Sequence, residues 1–148
     1  FQKIQNKNKP IKLWLMDATN VVGVGNIYAS ESLFLAKILP TRAASSLSLI
    51  ECQVLHGAIV QTLTAAIAAG GTTLRDYVGI EGQTGWFQVQ LNVYGAKGKP
   101  CAVCENPIEQ ITMGQRSTFF CAKCQKETRE NKCVKLTLKT RYFKQGRF

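Results

Sequence analysis

Four cysteines constrain this chain more than any other feature. Cys101-x2-Cys104 is followed, after sixteen residues, by Cys121-x2-Cys124. Each pair can turn two sulfurs toward one ion, and the stretch between them is long enough for a hairpin that brings the second pair back to the first. That is the spacing of a four-thiolate zinc site. The competing explanation is a pair of disulfides in a secreted domain. Against it, the opening FQKIQNKNKP lacks the apolar core of a leader peptide, and a segment of about 30 residues cannot bury a core of its own. One zinc ion is expected, and it is structural, because four sulfur ligands leave no open position for water. Of the other cysteines, Cys52 reads as a buried small hydrophobe and Cys133 as a stray thiol.

Charge narrows the class of partner. The chain of 148 residues carries 19 Lys and Arg against 9 Asp and Glu, a formal charge of +10. Residues 1–92 hold seven basic and five acidic side chains; residues 93–148 hold twelve and four. A surplus so placed favours a polyanion, nucleic acid or an anionic membrane surface, facing the cysteine-bearing third. A merely solvated basic tail would give the same count. The apolar stretches break before the length of a bilayer-spanning helix, so no membrane span is expected. At 45% apolar and 19% charged, the composition is that of a folded domain.

The rest of the chain reads as helical. Residues 1–10, rich in Lys and Asn, resemble a linker. An apolar segment, Ile11 to Met16, leads to a glycine-rich turn, Val21-Val22-Gly23-Val24-Gly25-Asn26. Ile27, Leu33, Phe34 and Ile38 then recur at helical spacing through Leu39, with Pro40 as the stop. Ser48 and Glu51 form a capping box that opens a helix running to Ala69, with Cys52, Leu55, Ile59, Leu63 and Ala66 on one face and Gly70-Gly71 as its end. Thr73 with Asp76 suggests a shorter helix start, and residues 79–85 a flexible loop. Leu91, Val93 and Tyr94 read as a short strand. Between the cysteine pairs, Ile108–Thr112 and Ser117–Phe120 are the expected strands, with Met113-Gly114-Gln115-Arg116 as the turn. The fold class is therefore mainly α with a small β part.

Two places could bind an anion. The glycines of the Val21–Asn26 turn let backbone approach a partner, and N–H groups at the next helix start can hold a phosphate. Asn26 could reach a phosphate oxygen or simply cap the helix. Arg116 near the hairpin tip could enter a DNA groove or grip phosphate, but composition alone explains it equally well as an exposed turn residue. His56, off the core face, reads as a surface residue and Trp14 as core. Trp86 and Phe87 could stack on bases. Tyr94 could donate to a phosphate or pack beside the finger. Asp17, Glu31 and Asp76 are carboxylates without active-site pairing.

Four stretches, WLMDATNVVGVGNIYASESLF, GGTTLRDY, LNVYGAKGKPC and GQRSTFFCAKCQK, resemble in order the C-terminal half of bacterial formamidopyrimidine-DNA glycosylase, with the endonuclease VIII family as its relative. The likeness runs from about Lys12 to Lys126. It implies a helix–two-turn–helix domain over 11–92 and a four-cysteine zinc finger over 93–126; composition adds 1–10 as a linker and 127–148 as a basic tail, expected to be disordered. It also implies a parent enzyme that excises oxidised purines such as 8-oxoguanine and formamidopyrimidine and then cleaves the abasic strand. The family's nucleophile is an N-terminal proline followed by glutamate; this chain begins Phe1-Gln2 and Pro10 is internal, so no catalytic residue is expected in it and the chain alone is expected to be inactive.

The resemblance further implies that Lys12, Asn26 and Arg116 contact DNA backbone near the lesion, together with Gly23 and Gly25 of the turn and Gln115 of the hairpin tip. Residues 72–87 resemble the segment that closes over an everted base. The expected partner is double-stranded DNA, damaged or abasic by preference, bound by a monomer in the bacterial cytoplasm beside the nucleoid. Ala96 and Glu105-Asn106 depart from the family pattern, which favours arginine and glycine there. A zinc-ribbon adaptor that binds another protein is the alternative reading.

Overall fold

A computed structural model describes residues 1–69 and 91–127. The expectations placed on Gly70-Gly71, Thr73, Asp76, the 79–85 loop, Trp86, Phe87, the 72–87 segment, Cys133 and the tail beyond 127 lie outside the described residues.

Three α-helices, two single-turn 3-10 helices (Gln2–Ile4 and Ala44–Ser46) and one hairpin make up the described fold. Helix α1 is the short apolar segment Ile11–Leu15, α2 spans Asn26–Ala36 and α3 spans Leu49–Ala68. Strands β1 (Glu109–Met113) and β2 (Arg116–Phe120) pair antiparallel, with Glu109 opposite Phe120 and Met113 opposite Arg116. Two apolar clusters hold these elements. Ile11 and Leu15 of α1, Ala29, Leu33 and Ala36 of α2, and Leu55 and Ala58 of α3 share the first. Phe34 leaves α2 on another side to join Val93, Ile108, Phe119, Cys101 and Cys121 in the second. Helix α2 is thus the common wall of helical unit and finger.

The capping box at α3 forms as expected: Ser48 Oγ accepts from the Glu51 N–H and the Glu51 carboxylate accepts from the Ser48 N–H. Glu51 also takes both terminal nitrogens of Arg42, at 2.6 and 2.9 Å, in a pair whose side chains are 6% and 5% exposed. Of the expected α3 face, Leu55 and Ala66 are buried and Cys52, Ile59 and Leu63 half-buried. Length and mean hydropathy alone would let α3 cross a membrane. Its first turn instead holds a buried ion pair, and Leu55 and Ala58 pack in the helical core.

Four expectations need correction. Helix α2 stops at Ala36, short of Pro40, because Lys37 adopts the left-handed conformation (φ 59°). Its N–H and that of Ile38 then bond back to Phe34 and Leu33. Residues 1–10 are not a free linker: Ile4 is buried in the first cluster, and the Lys7 and Lys9 carbonyls accept from Ser45 and Ala44. Leu91–Tyr94 is a turn rather than a strand, for a reason given below. The hairpin turn is only Gly114-Gln115, so Arg116 begins β2 instead of lying in the loop. Both turn residues have positive φ, 53° and 61°, as a two-residue turn that follows strand twist requires. A Cβ on Gly114 would lie 2.9 Å from Leu13 Cδ2, so the tip is seated directly on α1.

Candidate nucleic-acid interface and metal centre

The four cysteines of the two CxxC pairs converge. All four Sγ atoms lie within 4.8 Å of one another, with Cys101 to Cys124 at 3.8 Å and Cys104 to Cys121 at 3.4 Å. A tetrahedron of Zn–S bonds near 2.3 Å separates its sulfurs by about 3.8 Å, so these residues fit one structural zinc. Local backbone explains the convergence. The Glu105 N–H donates to the Cys101 carbonyl, and the Val103 N–H reaches Cys101 Sγ at 3.5 Å. That knuckle forces Glu105 to φ 61°, the left-handed region, where glycine is the unstrained choice. Burial raises the Cys121 and Cys124 thiols, so the ion must displace their protons. Gln125 locks the far side of the knuckle, accepting from the Cys121 N–H and donating to the Ile38 carbonyl.

The second centre is polar and lies where α1, the α2 start and β2 meet. Gly23, at φ 85°, turns the chain into Gly25, the residue before α2. Asn26 is the first helical residue, and its side chain does not cap the helix. Its Nδ2 donates to Tyr94 Oη at 3.2 Å and to the Ser117 carbonyl at 3.1 Å. Its Oδ1 accepts from Lys12 Nζ at 2.6 Å. Lys12 is fully buried and donates also to Thr118 Oγ1 at 2.6 Å and the Ser117 carbonyl at 3.2 Å. Burial, together with the nearby Arg116 charge, pulls its pKa down to about 8. Arg116 itself is exposed beside Gln115 at the tip.

The sequence-predicted residues therefore gather. Lys12 and Asn26 touch, and Arg116 lies within electrostatic reach of Lys12. Tyr94 packs beside the finger, its ring meeting Phe119 edge-on at 5.0 Å, and its hydroxyl accepts from Asn26 Nδ2 in the polar centre. His56 is exposed and Trp14 packs against the first cluster. Asp17 is structural, accepting from the N–H and hydroxyl of Thr19 to shape the loop after α1. Sequence reasoning missed Ser117 and Thr118 of β2, which accept from the buried Lys12 ammonium, and it missed the partners of Glu31.

A Gly-x-Gly-Asn turn at a helix start, braced by a four-cysteine hairpin, defines a helix–two-turn–helix module with a zinc finger. The model of the formamidopyrimidine-DNA glycosylase H2TH domain matches residues 1–78, and that of the zinc finger found in FPG and IleRS matches residues 98–126. The chain belongs to the formamidopyrimidine-DNA glycosylase H2TH family. It is 55% identical over 126 residues to formamidopyrimidine-DNA glycosylase of Serratia proteamaculans, covering 85% of this chain and 47% of that one. The Sodalis glossinidius enzyme is 57% identical over 125 residues, covering 84% and 46%. Among solved structures, Lactococcus lactis Fpg in complex with DNA containing an abasic site is similar at 40% identity with a TM-score of 0.77, covering 84% of this chain and 45% of that one. MutM (FPG) protein from Thermus thermophilus is similar at 40% identity and a TM-score of 0.78, covering 84% and 47%. The chain spans about half the length of the curated relatives it matches.

Proposed function

We propose that this chain is the DNA-gripping portion of a base-excision-repair glycosylase and AP lyase that acts on oxidised purines, 8-oxoguanine and formamidopyrimidine. In this reading residues 11–92 form the helix–two-turn–helix domain and 93–126 the finger. The cutting chemistry belongs to the half of the relatives that the chain does not span. The duplex backbone runs over the Gly23–Asn26 turn and the hairpin tip. The first-turn N–H groups of α2 hold one phosphate together with Asn26, whose Nδ2 exchanges the Ser117 carbonyl for a phosphate oxygen while it keeps Tyr94 Oη; Lys12 and Arg116 neutralise charge beside it, and Gln115 lies alongside at the tip. The carrying observation is the convergence of Lys12, Asn26 and the β2 backbone at Ser117 on one spot, although Ser117 lies 105 and 91 residues from the other two in sequence. Zinc supplies no chemistry here; it fixes the hairpin that places Arg116. No observation favours the adaptor reading. The protein acts on the bacterial chromosome, in the cytoplasm.

Arg116→Ala tests the assignment. Arg116 is exposed and at the first position of β2, so its loss should leave the fold and zinc content intact. Affinity for an abasic-analogue duplex, read by fluorescence anisotropy, should fall about tenfold with little dependence on flanking sequence, because a phosphate contact carries no base information. Unchanged affinity at moderate salt contradicts the assignment.

A further inference from the structure

Glu31 is a buried carboxylate on α2 that forms no ion pair among the described residues. A buried charge needs compensation. Here it comes from amides: Glu31 Oε2 accepts from the Asn92 N–H at 2.8 Å and Asn92 Nδ2 at 2.9 Å, while Oε1 accepts from the N–H groups of Val93 and Tyr94, each at 2.9 Å. Three consecutive backbone donors wrapped on one carboxylate make an anion nest occupied by the protein's own side chain. This is why residues 91–94 form a turn and not the strand their apolar pattern suggests. Val93, in the middle of the nest, is fully buried in the finger's apolar cluster. Tyr94, at its end, aims its hydroxyl at Asn26 Nδ2.

We infer that Glu31 is a positioning residue for the phosphate site: it sets the 92–94 turn, the turn sets Tyr94, and Tyr94 with Ser117 orients the Asn26 amide. The inference rests on the proposed DNA-gripping role of Asn26. The path is short and polar throughout, since Glu31 and Asn26 leave the same helix and meet again through the turn. Without the carboxylate, Tyr94 keeps its ring contact with Phe119 but loses the constraint on its backbone.

The test is a set of double-mutant cycles on the zinc-loaded chain, titrated against an abasic-analogue duplex at fixed salt. Asn26→Ala establishes the site. Glu31→Gln replaces one accepting oxygen with a donor facing backbone N–H groups, and should weaken binding about three- to tenfold. Combined with Asn26→Ala it should add little, because it acts through that side chain. The Asn26 side-chain amide resonances should shift in Glu31→Gln while zinc content is unchanged. Tyr94→Phe keeps the ring and removes only the hydroxyl; it should weaken binding and be equally non-additive with Asn26→Ala, and it decides the matter if Glu31→Gln does not fold. Loss of affinity in Asn26→Ala with wild-type affinity in Tyr94→Phe, or full additivity of a folded Glu31→Gln, overturns the relay. Wild-type affinity in Asn26→Ala itself overturns the proposed function instead.

Discussion

Removing zinc should unfold residues 97–124 and abolish duplex binding while leaving the three helices folded. The finger's apolar cluster is small, and two of its buried members, Cys101 and Cys121, are themselves ligands. Structural zinc contributes about 10–16 kcal/mol of apparent folding free energy in isolated fingers, far more than so small a core could replace. The helical cluster is separate, built from Ile11, Leu15, Leu33 and Leu55, and does not depend on the thiolates. The boundary is not clean, however. Phe34 loses its partners in the finger, and Lys12 loses two of its three acceptors, Thr118 Oγ1 and the Ser117 carbonyl. The α1–α2 junction should therefore loosen while α3 stays intact. A strong chelator, with released zinc read by a metal indicator, and amide NMR signals of both parts measure this. Cross-strand contacts between Met113 and Arg116 that survive stoichiometric zinc release contradict it.

The second large effect belongs to the Arg42–Glu51 pair. Both side chains are almost wholly buried, and Arg42 makes two further bonds, to the Ser46 hydroxyl and carbonyl. Glu51→Ala removes the carboxylate, strands a buried guanidinium and deletes the capping box at once. A loss of about 3–5 kcal/mol in chemical denaturation is expected. Arg42→Met with Glu51→Leu should cost much less than the single change, since the penalty is the uncompensated charge. The Arg42 hydrogen bond holds the Glu51 carboxyl down at about 2. A folded-state pKa below the unfolded one means the unfolded chain binds more protons between those values, so stability rises with pH there. The contribution is complete above about pH 4.5 and is lost as pH falls toward 2. Equal acid sensitivity in the double variant and the parent contradicts this source.

Those two effects show what was legible beforehand. The zinc cluster could be read because ligand spacing is a local property: two CxxC pairs need only a hairpin to meet. The capping box was legible for the same reason, lying within four residues. Glu31 was not, since its donors are backbone amides sixty-one to sixty-three residues away and no side-chain pattern marks them. The apolar alternation of Leu91 and Val93 argued for a strand, and the carboxylate won because three hydrogen bonds to one buried charge outweigh weak strand propensity. The early end of α2 was hidden too. Lys37 in a left-handed conformation breaks the rule that glycine or proline announces a stop, and Pro40 drew the boundary three residues late. Asn26 and Arg116 could be singled out from the glycine-rich turn and the hairpin tip, and Lys12 only through resemblance; that Lys12 and Asn26 share one polar centre, with Arg116 beside it, emerged only from the packing of β2 against α2 and α1.

In the proposed function the Gly23–Asn26 turn and the hairpin tip together clasp the backbone of a damaged duplex. Titrating a labelled duplex carrying one abasic analogue with the zinc-loaded chain, across a series of salt concentrations and beside an intact duplex and heparin, tests it most directly. Tighter binding to the abasic duplex than to either competitor is expected, with log affinity falling linearly in log salt by a slope of about −0.9 for each phosphate neutralised. Indifference between abasic DNA, intact DNA and heparin, or no binding in dilute buffer, contradicts it.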